Sequence, residues 1–153
     1  MRNQKKLILE QLDRKLKAFQ PIKKTLVPEK GWIYSIRKAL NMNLGQLGKK
    51  LNISTQGAKK IEEREANESI SIKSLREAGN ALDMQLVYGF VPKSGTLVNL
   101  VNTKAEELAR KIVLRTSNNM KLENQENSSV QIQNAIIELT SDIKREMRKS
   151  LWD

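Results

Sequence analysis

Within seven residues the chain places Ser54, Thr55, Gln56, Lys59 and Lys60, a set of hydroxyl, carboxamide and ammonium groups at helical spacing. These groups recognise rather than react. An amide holds a donor and an acceptor in one plane, a hydroxyl does either, and an ammonium meets an anionic oxygen. Bond-making chemistry has fewer candidates. Cysteine and histidine are absent, which excludes disulfides, a thiol nucleophile, an imidazole base and zinc-finger ligation. Glu62, Glu63 and Glu65 cluster, but acids gathered at a helix end are usually solvated. They are expected to face solvent or neighbouring lysines. The chain reads as a non-enzyme without metal or cofactor.

The recognition groups sit in MNLGQLGKKLNISTQGAKKIEERE, residues 42–65. Leu44, Leu47 and Leu51 line one face of a short helix with Gly48 in its middle. That glycine costs about 1 kcal/mol of helix propensity relative to alanine, offset if two helices cross so closely that no side chain fits. Asn52 and Ile53 make the turn, with Ile53 expected to plug the angle. Ser54 is a good N-cap for a helix that buries Ala58 and Ile61 and exposes Thr55, Gln56, Lys59 and Lys60. This order is the helix-turn-helix, whose second helix carries base-reading side chains at its N-terminal end.

Charge supports the same partner. The chain has 28 Lys+Arg against 17 Asp+Glu, a net +11, and such an excess favours an anionic partner, nucleic acid before an acidic protein or a membrane surface. Residues 1–30 hold nine positive and three negative charges and residues 31–66 seven and three, whereas the remainder is near balance. No apolar run approaches the roughly 20 residues of a membrane span, and no leader pattern opens the chain. A cytoplasmic location is expected.

The flanks are helical in pattern. Ile8, Leu12, Leu16 and Phe19 recur at three- and four-residue spacing over residues 4–19. Pro21 and Pro28 bracket a basic connector, residues 22–27, expected to be extended. This front segment either lies along phosphates or packs on protein. Trp32, Ile33, Ile36, Ala39 and Leu40 make the buried stripe of a helix that leaves Arg37 and Lys38 towards solvent, and Ser71 caps another with Ile72, Leu75, Ala78 and Leu82 inward. Met84, Leu86, Tyr88 and Phe90 then alternate with their neighbours, a strand pattern closed by Pro92. A lone strand needs a partner. The same strand of a second copy would give a homodimer suited to a palindromic operator; the residue 22–27 connector is the alternative. Leu97, Val101, Ala105, Leu108 and Ile112, then Ile132, Ile136, Leu139, Ile143 and Met147, trace two helices of a hairpin about a polar break at residues 124–129.

LGQLGKKLNISTQGAKKIEERE, with WIYSIRKALN before it and SIKSLREAGNALD after it, resembles the Cro and lambda-repressor class of domain over residues 32–83. The resemblance implies base-reading roles for Thr55, Gln56 and Lys59. In those roles Gln56 would pair with adenine N6 and N7, Thr55 would touch phosphate or a thymine methyl, and Lys59 would reach guanine or phosphate. It implies phosphate contacts for Arg37 and Gln46, with Ser54, Lys60 and Arg64 as further candidates. QLDRKLKAF, KGWIYSIRKAL, QLGKKLNIS, ALDMQLVYGFVPK, ELARK and the final LWD are together similar to the mobile mystery protein A family over nearly the whole chain. That likeness implies a bacterial regulator on a mobile element, encoded beside a Fic-domain protein in a toxin–antitoxin-like arrangement. Thr55 stands where an arginine is commoner in that family. The Ser/Thr-x-x-x-Glu-Gly/Asn helix of Fic inhibitors is approached by Thr103 to Glu107, but Leu108 follows where Gly or Asn is required.

The expectation is a mainly α chain: a lambda-repressor-like helix-turn-helix domain with one C-terminal strand and flanking helical extensions. It divides into residues 1–28, a basic helix and connector; 29–93, the DNA-binding domain with its dimer strand; and 94–153, the hairpin. The expected function is a dimeric, sequence-specific repressor of its own operon. The alternative is an antitoxin-like module whose C-terminal helices restrain a Fic-type enzyme.

Overall fold

Helix follows helix because apolar residues recur at three and four through most of the chain. The structure, a computed structural model, describes residues 2–122 and 129–153, with side chains at 4–118 and 129–153. Its α-helices are α1 (Arg2–Leu16), α2 (Trp32–Ala39), α3 (Leu44–Leu51), α4 (Thr55–Ala66), α5 (Ile72–Ala81), α6 (Leu97–Leu122) and α7 (Ser129–Glu146). Tighter 3-10 turns run over Lys17–Lys24 and Lys149–Trp152. The chain forms two compact units, one of residues 23–89 and one joining 1–22 to 90–153. The front helix thus belongs with the C-terminal helices, not to a separate basic extension.

In the first unit, Ile33, Leu47, Ala58, Ala78 and Leu82 form the buried core, with Ile36, Leu44, Leu51, Ile61 and Leu75 packed around it. Leu47 is wholly buried, whereas Trp32, Leu40 and Ile72, expected inward, lie at helix ends and stay exposed. Each helix start has its own stop and cap chemistry. Asn43 accepts from Gln46 N while Gln46 Oε1 accepts from Asn43 N, both at 2.8 Å, a reciprocal capping box for α3. Asn52 ends α3 at φ 56°, ψ 40°, a left-handed turn that asparagine tolerates. Ser71 Oγ accepts from Ser74 N at 3.0 Å and caps α5.

The strand expected at Met84, Leu86, Tyr88 and Phe90 is not formed, and among the described residues there is no strand at all. Residues 84–92 are irregular and lack a ladder with the residue 22–27 connector. The first part is instead laid on α5, where Met84 N donates to Gly79 O at 2.8 Å. Alternation alone specifies which side chains share a face; a ladder also needs a neighbouring backbone, which neither unit supplies. Tyr88 and Phe90 stay exposed while Leu86 is half-buried. The connector also departs from expectation: Ile22 to Lys24 complete the 3-10 turn that carries Pro21.

In the second unit, α6 and α7 pack as the expected pair around Val101, Ala105, Ala109, Ile136, Ile143 and Leu151. The polar break falls at residues 124–128, outside the described residues, and Ser129 already opens α7. Helix α1 joins this unit through Leu9, not Ile8 or Leu12, which are exposed. Asp13 sets its rotation. Its two carboxylate oxygens accept from Leu97 N at 2.7 Å and Val98 N at 3.1 Å, capping α6 across 84 residues of sequence. Gln20 Nε2 donates to Gly95 O at 2.7 Å beside it. Among the described residues no helix is long and apolar enough to cross a membrane.

Candidate nucleic-acid interface

Helix α4 is held by its cap and by its crossing with α3. Ser54 Oγ accepts from Gly57 N at 2.9 Å, which uses one of its two lone pairs and leaves the O–H free to donate outward. At the crossing, a Cβ on Gly48 would lie 2.9 Å from Ile53 O and 3.0 Å from Ser54 O. Both are backbone atoms of the turn, so the helices could not close with any larger residue. Ala58 is fully buried beneath this turn. Ile53 fills the angle only in part: its side chain lies over Gly57 at the start of α4, where an added Cβ would sit 3.4 Å from Ile53 Cβ and Cδ1, and it keeps 38% of its surface.

From that seat, Thr55, Gln56, Lys59 and Lys60 all project from α4 as exposed side chains. Gln56, Lys59 and Lys60 lie at helical spacings that share one surface. Glu63, four residues beyond Lys59, is exposed on the same side. Arg64 is also exposed but sits nine residues past Thr55, about 13 Å along the axis, away from the N-terminal end. Gln46 is exposed at the start of α3, and its bond to Asn43 N commits the carbonyl oxygen, which aims its NH2 group outward as a donor.

Arg37 is elsewhere. It is 6% exposed, and its Nε and Nη2 donate to the two carboxylate oxygens of Glu62 at 2.5 and 3.0 Å, while Nη1 donates to Met42 O at 2.8 Å. All three nitrogens are committed to protein, so the expected phosphate contact is not presented. The hydrogen bond to Glu62 raises the arginine's pKa further, against the lowering by burial. Tyr34 adds its ring, with the Arg37 guanidinium carbon 5.4 Å and Lys30 Nζ 5.0 Å from the centroid. A charged residue on α2 and one on α4 are mutually the cheapest way to bury either.

Glu62 and Glu65 therefore do not face solvent. Glu65 accepts from Trp32 N at 3.0 Å and Ile33 N at 2.8 Å, capping α2 from across the unit. Gly31, at φ 88°, clears the path, since a Cβ there would lie 2.7 Å from Glu65 Oε1. The carboxylates that looked unwelcome beside an anion are structural, and only Glu63 of the three remains outward. The Asn43 and Gln46 pair was legible as an Asn-x-x-Gln capping pattern. The Arg37–Glu62 and Glu65–α2 pairings span 25 and 32 residues or more and have no local signal.

The surface so built offers hydroxyls, two carboxamides and two lysines on adjacent helix starts, with a paired and buried frame behind them. No protein-family model matches this chain, and neither does any curated protein or solved structure.

Proposed function

We propose that the protein is a sequence-specific DNA-binding regulator, a repressor acting in the cytoplasm, that lays the N-terminal end of α4 in the major groove. The observation that carries this reading is the presentation of Thr55, Gln56, Lys59 and Lys60 on a helix seated by Gly48 and capped by Ser54. Gln56 reads adenine, Lys59 a guanine or a phosphate, and Thr55 a phosphate or a thymine methyl. Gln46 and Lys60 hold the backbone, with Ser54 and Arg64 as outlying contacts. One such helix covers only a few base pairs, so two copies bind a palindromic operator. Control of its own operon on a mobile element rests on the family resemblance alone.

Selection of bound sites from a random DNA pool, followed by gel-shift titration, tests this. Gln56→Ala should cost roughly 1–3 kcal/mol on the selected site and little on random DNA; equal losses on both would remove the base-reading role. Sedimentation of the complex should give two chains per operator.

A second reading, restraint of a Fic-type enzyme, is favoured by one observation. Residues 1–22 and 90–153 form a compact unit of their own, apart from the helix-turn-helix. A fragment of residues 23–89 should keep operator binding; if it also kept capture of the enzyme, the second unit would not be the partner surface.

A further inference from the structure

In the unit of α1, α6 and α7, the N-terminal half of α1 leaves a cavity of about 370 Å³ against the hairpin. Asp13 ties the other end of α1 to the start of α6, and Gln20 in the 3-10 turn that follows bonds to Gly95 just ahead of it, whereas Leu9 is the α1 side chain packed on the core further up. The cavity's floor is apolar, made by Leu9, Val98, Val101 and Met147. Its rim is not. Lys6, Lys144 and Arg145 line it together with a single carboxylate, Glu10.

The rim charges are available. Lys6 Nζ lies 4.0 Å from Glu10, with side chains 76% and 46% exposed, and exposed pairs of this kind contribute at most about 1 kcal/mol. Arg145 pairs with Asp142, also at the surface. Among the described residues no ion pair engages Lys144. The volume falls within the roughly 300–1,000 Å³ of small-molecule sites, which pair an apolar lining with a few placed polar groups. Met147 adds an unbranched, polarizable wall that adapts to irregular ligands.

We infer that this cavity is a binding site for an amphipathic carboxylate, a medium-chain acyl acid whose chain lies on Leu9, Val98 and Met147 and whose head group meets Lys144 and Lys6. Charge selects the anion: with Glu10 beside Lys6 and Asp142 on Arg145, the rim still holds one cation more than its acids, Lys144, so an ammonium head group is repelled while a neutral one gains nothing from the rim. The site is independent of the DNA-reading surface, and the inference holds or fails without it.

The test uses the full chain with decanoate, decanol and decyltrimethylammonium below micelle-forming concentrations, followed by calorimetry and methionine-methyl NMR. Decanoate should bind saturably and shift Met147 while leaving Met42 and Met84 in place. Lys144→Glu, an exposed change that should keep the helix content, should weaken decanoate at least about fivefold and leave decanol unaffected. Lys6→Glu should act in the same direction. Equal binding of the three compounds, a shift at Met84 without Met147, or no effect of Lys144→Glu would each overturn the assignment.

Discussion

Arg37 of α2 and Glu62 of α4 face each other as a two-pronged ion pair, both less than a tenth exposed, with Met42 O accepting the remaining guanidinium nitrogen. The pair fixes where α4 lies relative to α2. In the proposed function it acts through geometry and not by contact.

Arg37→Ala should accordingly destabilise residues 23–89 by about 3–5 kcal/mol, because it strands a buried carboxylate. Glu62→Ala should do nearly as much. The double change Arg37→Met with Glu62→Leu should recover most of the loss. Denaturant unfolding followed by Trp32 fluorescence, in a Trp152→Phe background so that the second unit is silent, reads all three. The folded fraction of Arg37→Ala should keep the salt dependence of DNA binding unchanged; a slope reduced by about one would restore the phosphate contact to Arg37.

Gly48→Ala tests the crossing. Helix propensity alone predicts a gain of about 1 kcal/mol, yet the added methyl would meet two backbone oxygens at 2.9 and 3.0 Å. Overpacking of this kind costs roughly 1–3 kcal/mol, so the net effect should be a loss of stability together with weaker operator binding. A rise in melting temperature would mean that the turn can open without cost.

Lys60→Gln separates affinity from specificity. It should weaken binding to selected and random DNA alike and lower the slope of log K against log salt by about one. Gel shifts across a salt series measure it. A loss confined to the selected site would move Lys60 into the base-reading set.

Asp13→Ala should uncap α6. Loss of a capping carboxylate costs about 0.5–2 kcal/mol, here in the unit of residues 1–22 and 90–153. Amide hydrogen exchange should speed up at Leu97 and Val98 first, with exchange at Ala58 and Leu82 unchanged. Faster exchange throughout both units would show that they unfold together.

Much of this molecule is written locally. Leu44, Leu47 and Leu51, Ala58 and Ile61, the α7 stripe and the α6 stripe as far as Leu108 fall on the faces that their periodicity marks, because a helix converts spacing into direction whatever surrounds it; at Ile112, which is exposed, Ala109 and Val113 take the core side instead. Ser54, Ser71 and the Gly48 crossing are legible for the same reason: a cap or a missing Cβ acts within a few residues. The exposure of Thr55, Gln56, Lys59 and Lys60 followed from those elements.

What only the tertiary structure decided lies between distant residues. Arg37, Glu62 and Glu65 read as surface charges because their types usually are; a partner 25 or more residues away lets Arg37 and Glu62 be buried and turns Glu65 onto the start of α2. The α1 stripe turned to present Leu9 because Asp13 found the open amides of α6. The alternating run at Met84 to Phe90 found no backbone to pair with, and a strand cannot exist alone. Spacing assigns a face to each residue, but the long-range partner that will occupy that face, and so the sign of its burial energy, enters only when the chain has folded.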